Sequence, residues 1–253
     1  MIKLTRDISL ENYTLILPSV AVGNVGQLSV DLLVANLNLE KIGQIFSTAF
    51  VPIVGANAYD EKSNELVTAI DIYAGTEEQR IVVVQIRSPY VADLTEFFEE
   101  LKQFVIDRKI AKVIVLASSY DYERREIQPN PLKLRYVASS EIQAESGKLF
   151  DDLNWIPHKS NKNDSDTGVE ERLRIPGGGF AKSIFNFLSD AKIPCAVLFK
   201  FCSEGDNTSD ALLLVHYLDQ WIDVLGTRRK SVTWKFPPSW KHLFGRPPPR
   251  GMY

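Results

Sequence analysis

The sequence predicts an α/β protein: one domain built as a three-layer α/β/α sandwich around a mixed, mostly parallel central sheet. Three observations carry this reading. Segments dense in β-formers alternate along the chain with segments whose apolar residues recur at helical spacing. The run Ala111 to Ala117 (AKVIVLA) is apolar almost throughout and bounded by polar residues, as in a central strand covered on both faces. Tyr13 to Val22 (YTLILPSVAV) leads through Gly23-Asn24-Val25-Gly26 into apolar residues at Leu28, Leu32, Leu33 and Leu37, a strand, a glycine turn and a helix.

The remaining elements follow in order. Ile42 to Val51, Leu66 to Tyr73 and Arg80 to Arg87 are strand candidates joined by short polar turns, which makes them neighbours rather than crossover partners. Asp93 to Lys109 is the clearest helix: Leu94, Phe97, Phe98, Leu101, Phe104 and Val105 form one stripe, and Asp93 with Glu96 suits a capping box. After the strand at Ala111, the polar stretch YDYERREIQPNP is read as a loop, and Glu141 to Leu153 as a helix. Residues 157–171 hold almost no apolar side chain and read as a mobile surface loop. A helix near Ala181 to Asp190, a strand from Cys195 to Cys202 and a helix from about Ser209 to Leu225 complete the domain, placed at 1–226. Residues 227–253 form a basic, aromatic, proline-rich tail.

Composition narrows the function classes. The 253 residues are 45% hydrophobic and 24% charged, as in an ordinary globular chain, with a net charge of −3 that gives no pull toward nucleic acid or acidic membrane. No run reaches the roughly 20 apolar residues of a membrane span, and the first residues lack a signal-peptide core. Cys195 and Cys202 lie seven positions apart in one predicted strand, about 23 Å at 3.3 Å per residue and on opposite faces, so they cannot bridge each other. Free thiols and no leader give the expectation of an intracellular protein.

The most provocative stretch for chemistry is Arg174 to Leu188, RIPGGGFAKSIFNFL. A phosphate-gripping loop aligned on Lys182-Ser183 would need glycine at Pro176 and Ala181, and a dinucleotide fingerprint fails at Lys182. Two readings stay open for Gly177, Gly178, Gly179 and Lys182: an anion site at a helix N-terminus, or a structural turn. Gly23 and Gly26 carry the same pair of readings. The loop Ser203-Glu204-Gly205-Asp206-Asn207 offers carboxylates for a base or a ribose, or simply caps the next helix. His158, His216 and His242 have no metal-ligand spacing, and no nucleophile, base and orienting partner assemble, so neither a catalytic residue nor a cofactor is assigned. An enzyme of the nucleoside phosphorylase or hydrolase kind, using the glycine turns and the acidic loop, is the alternative reading. A tail-driven binder of acidic surfaces is a third, because Val224 to Tyr253 holds seven basic residues and no acidic one.

Six blocks give a stronger lead. PSVAVGNVGQLSVDLL (Pro18 to Leu33), FVPIVGANAY (Phe50 to Tyr59), KVIVLASSYDYERRE (Lys112 to Glu126), RIPGGGFAK (Arg174 to Lys182), FCSEGDNTSDALLLVHYLDQW (Phe201 to Trp221) and WKFPPSWKHLFG (Trp234 to Gly245) run in order along nearly the whole chain. In these blocks the sequence resembles the PAC2 family of proteasome assembly chaperones. The resemblance implies a non-enzymatic role: a heterodimer with proteasome assembly chaperone 1, itself of similar fold, that binds α-subunits of the 20S core particle and promotes α-ring formation in cytoplasm and nucleus. It also implies a C-terminal motif, hydrophobic-Tyr-any, that enters pockets between α-subunits. The chain ends Arg250-Gly251-Met252-Tyr253, one position out of that register, and Arg250, Met252 and Tyr253 are the expected docking residues. The Pro247-Pro248-Pro249 run suits an extended segment that projects them.

Overall fold

The computed structural model describes residues 1–124, 133–158, 173–226 and 233–243. Its strands are β1 (Ile2–Leu4), β2 (Thr14–Pro18), β3 (Glu40–Ile45), β4 (Val54–Ala56), β5 (Leu66–Thr68), β6 (Ile70–Ala74), β7 (Ile81–Ile86), β8 (Lys112–Tyr120), β9 (Leu134–Ala138) and β10 (Cys195–Cys202). Its α-helices are α1 (Val25–Leu37), α2 (Thr95–Asp107), α3 (Ser140–Asp152), α4 (Ala181–Asp190) and α5 (Thr208–Ile222).

Eight strands form one sheet in the order β1-β3-β6-β7-β2-β8-β10-β9, and β4 pairs with β5 in a separate hairpin. The sheet is mixed. Its centre is parallel, with β7, β2, β8 and β10 side by side, but the four outer pairings are antiparallel, so the sheet is not mostly parallel. Connection length explains this: Gly75 to Arg80 between β6 and β7 is too short for the crossover that a parallel pair needs.

The sheet is covered on both faces. One side packs α2 and α4 through Phe97, Leu101, Ile184 and Leu188, and the other packs α1, α3 and α5 through Leu32, Phe150, Leu214 and Leu218. Strands β2, β7 and β10 are buried at every position because helices close both sides. Cys195 belongs to one core layer and Cys202 to the other, both as free thiols.

Several expected elements differ. The strand expected over Leu66 to Tyr73 is two: Thr68 donates its amide and hydroxyl to the Asp71 carboxylate, turning the chain from the hairpin into the main sheet. The strand expected to run to Val51 stops at Ile45, where a turn closes with the Phe50 amide on the Ser47 carbonyl. At α2, Asp93 accepts the amide of Thr95, and Leu94 takes the cap position, so the Asp93–Glu96 box does not form. Strands β1 and β4 span three residues each, too few to establish a period in the sequence, and β9 (Leu134–Ala138) follows the stretch read as a loop. Of the polar stretch 157–171, only Pro157 and His158 fall among the described residues.

Candidate functional site

Open α/β sheets hold ligands outside the carboxyl ends of their parallel strands. In this protein that position is occupied by the chain itself. Ser19 donates its hydroxyl to the Gly178 carbonyl at 2.7 Å, and the Val22 amide donates to the Gly177 carbonyl at 2.8 Å. Ser119 ties down the Pro176 carbonyl at 2.7 Å. The Gly178 amide donates back to Ile175 and the Ala181 amide to Gly178, so neither is turned toward a ligand. Gly179, at φ 59°, brings its backbone so close to the Pro18–Val22 turn that a Cβ would stand 2.0 Å from the Val20 carbonyl oxygen. Gly177, at φ 75°, lies against the Tyr120 ring. These glycines let one loop pack on another. Lys182 follows in the first turn of α4, half-buried.

Gly23 and Gly26 do the same for α1. A Cβ on Gly26 would meet the Leu116 carbonyl oxygen at 2.3 Å, and one on Gly23 would meet the Asn207 side chain at 2.3 Å. The helix start is thereby pressed onto β8. In the acidic loop, Asp206 accepts the Thr208 amide at 2.9 Å at the entry to α5, and that bond holds its carboxyl below the usual range. His158 Nε2 donates to the Arg174 carbonyl at 2.7 Å with its ring edge-on to Phe199. His216 is exposed on α5, and the backbone of His242 ends a 3-10 turn at Pro238–His242. Among the described residues no three metal-ligating side chains gather. Burial pushes the Cys195 thiol up to about 12 and the Cys202 thiol up to about 11, which removes both as nucleophiles near neutral pH.

The most elaborate polar arrangement is one that sequence reasoning missed. Asp31, on α1, accepts three donors: the Tyr59 hydroxyl at 2.7 Å, Gln85 Nε2 at 2.5 Å and the Trp240 indole at 3.1 Å. Tyr59 also accepts from Arg87 at 3.0 Å, and Arg87 pairs with Asp71 at 2.7 Å, which pairs with Lys41 at 3.0 Å. Burial, then the Asp31 charge, holds the Tyr59 phenol well above its ordinary value. The one legible trace was that Asp31 and Asp71 are lone carboxylates inside the apolar runs VGQLSVDLLVANL and IDIYA.

This network fastens part of the C-terminal segment. Of residues 227–253, the described part is 233–243, and it lies against the body. Asn36 and the Lys235 backbone exchange two hydrogen bonds at 2.9 Å, the Ser239 amide reaches Ala58, Lys241 pairs with Glu61, and Trp234 and Trp240 pack on the helical core layer. Arg250, Met252 and Tyr253 lie outside the described residues.

Comparison with known proteins settles the lineage. The model of the PAC2 family matches residues 15–220. The chain belongs to the PAC2 family. This PAC2-family chain is 37% identical to the mouse (Mus musculus) protein named Proteasome assembly chaperone 2, covering 96% of each chain. It is 36% identical to the human (Homo sapiens) protein of that name, again over 96% of each, and 36% identical to the zebrafish (Danio rerio) one, over 94% and 93%. Among solved structures, Pyrococcus furiosus PbaA, an archaeal homolog of proteasome-assembly chaperone, superposes with a TM-score of 0.65 at 17% identity, covering 91% of this chain and 89% of that one. Pyrococcus furiosus PbaB, an archaeal proteasome activator, gives 0.62 at 16% identity over 88% of each. At these identities the PAC2 fold is what is shared.

Proposed function

We propose that this chain is a non-enzymatic chaperone of 20S proteasome assembly, pairing with proteasome assembly chaperone 1 and binding α-subunits while their ring is built in cytoplasm and nucleus. The observation that carries the reading is near full-length similarity, 37% over 96% of both chains, to a protein named for that role. The geometry supports it from another side. Where an α/β enzyme would open a crevice, the glycine loop and the Pro18–Val22 turn are hydrogen-bonded to each other. Function then resides in surfaces.

In this proposal the tail docks in an α-ring pocket through Met252 and Tyr253, with Arg250 beside them. The two apolar side chains leaving water together supply roughly 2–4 kcal/mol. Deleting Met252 and Tyr253 is expected to weaken capture of α-subunits by about a hundredfold while co-purification with the partner chaperone persists. Affinity capture with mass spectrometry reads both. Unchanged α-subunit capture would remove the tail from the mechanism, and a chain that captures neither partner would remove the function.

A further inference from the structure

Antiparallel strands laid over a protein body normally turn apolar residues inward and polar ones to water. The β4–β5 hairpin carries apolar residues on both faces. Val67 faces the body, 7% exposed, opposite Gly55. Because successive residues alternate, Val54, Ala56 and Leu66 then share the outer face with one polar residue, Thr68, which lies opposite Val54 as Leu66 lies opposite Ala56. Val54 is 70% exposed and Leu66 57%.

The chain that follows β7 extends this face. The Val51 amide donates to Pro89 at 3.1 Å and the Val91 amide to Ala49 at 2.8 Å, which binds the approach to β4 to the segment carrying Tyr90 and Val91. Val91 is 67% exposed and Ile53 42%. No residue from Phe46 to Tyr59 or from Ser88 to Ala92 is charged, in a chain that is 24% charged overall. Charge returns only at the margins, with Asp60, Glu61, Lys62 and Glu65 at the hairpin tip and Asp93 beyond Val91.

An apolar, uncharged centre with a charged rim is the anatomy of an interface kept for the life of a complex, whereas contacts made and released are more polar. Isolated monomers seldom leave such a patch to solvent. The exposed uncharged residues come to about half of the roughly 20–30 that a standard interface engages per side, and the charged rim can supply the rest. In addition, among the described residues β4 pairs with β5 alone and is exposed at all three positions, so its second edge is open to another strand.

We propose that this face binds the same-fold partner chaperone, with β4 meeting the partner's equivalent strand edge to edge. A partner of like fold presents a like hairpin, and a two-fold relation between the chains sets two such edges antiparallel. The inference rests on the heterodimer reading above and assigns its surface; α-subunits, which must be released, are left to the tail.

The test uses the full chain co-expressed with proteasome assembly chaperone 1. Val54→Glu and Val91→Glu together are expected to weaken pairing by at least tenfold without lowering the melting temperature of the free chain. Ile106→Glu, on the exposed side of α2, is expected to leave pairing intact. If the glutamates do lower the melting temperature, Leu66→Gln puts the same question on the outer face. Wild-type pairing by the double variant, or loss of α-subunit capture with pairing intact, would overturn the assignment. Absence of pairing by the wild-type chain would instead overturn the heterodimer reading itself.

Discussion

Asp71 shows how a single side chain can hold three segments. It is fully buried, pairs with Arg87 just after β7 and Lys41 from β3, and accepts the Thr68 amide that turns the chain out of the hairpin. Replacing it by alanine leaves two cations with little access to water, so Asp71→Ala is expected to cost about 3–5 kcal/mol, read from urea denaturation. His158 offers a test in pH. Burial, opposed by its bond to Arg174, lowers its pKa in the folded chain below the ordinary 6.5. The unfolded chain therefore takes up the proton more readily, and the stability His158 contributes is present above pH 6.5 and lost as pH falls through the folded value. Urea midpoints between pH 7.5 and 5.5 should fall more for the wild type than for His158→Gln. Neither role was legible beforehand: a lone carboxylate in an apolar run announces that it is buried, but its partners come from strands distant in sequence.

At the scale of elements, the glycine turns are the clearest case of sequence and structure meeting. Their spacing excluded a phosphate loop in advance, because Pro176 and Ala181 occupy the required glycine positions. What the glycines do instead is permit contact between two turns that close one end of the sheet. Gly179→Ala combines a left-handed φ with a Cβ 2.0 Å from a backbone oxygen, and is expected to destabilise by about 3 kcal/mol or more. Gly55→Ala, whose added carbon would meet nothing closer than 4.0 Å, should change stability by no more than about 0.5 kcal/mol. Chemical denaturation of the two variants side by side makes the comparison. Elements with strong periodicity were legible almost to the residue, as with β10 at Cys195–Cys202 and α4 at Ala181–Asp190. The split of β5 from β6 was not, since it depends on the Asp71 side chain and the strand it meets.

For the whole molecule, one sheet between two helical layers sets the order of local stability. Strands β2, β8 and β10 are central, buried on both faces and paired on both edges, whereas β1 and β9 close the sheet and the β4–β5 hairpin lies outside it. Hydrogen exchange followed by mass spectrometry should find the slowest amides in β2, β8 and β10 and, among the strands, the fastest in β4 and β5. A reversal of that order would mean that the hairpin, rather than the parallel centre, anchors the fold.

The sequence by itself determined the α/β class, the covered central strand at Ala111 to Ala117, the separation of the two cysteines and the failure of the phosphate-loop motifs, because each depends on residues near one another along the chain. Tertiary structure alone decided the order of the strands in the sheet, the network from Asp31 to Lys41, the seating of residues 233–243 and the outward-facing apolar side of the hairpin. These arise from pairings between distant segments. Which strand lies beside which is fixed by total burial across the fold, a quantity no local pattern contains.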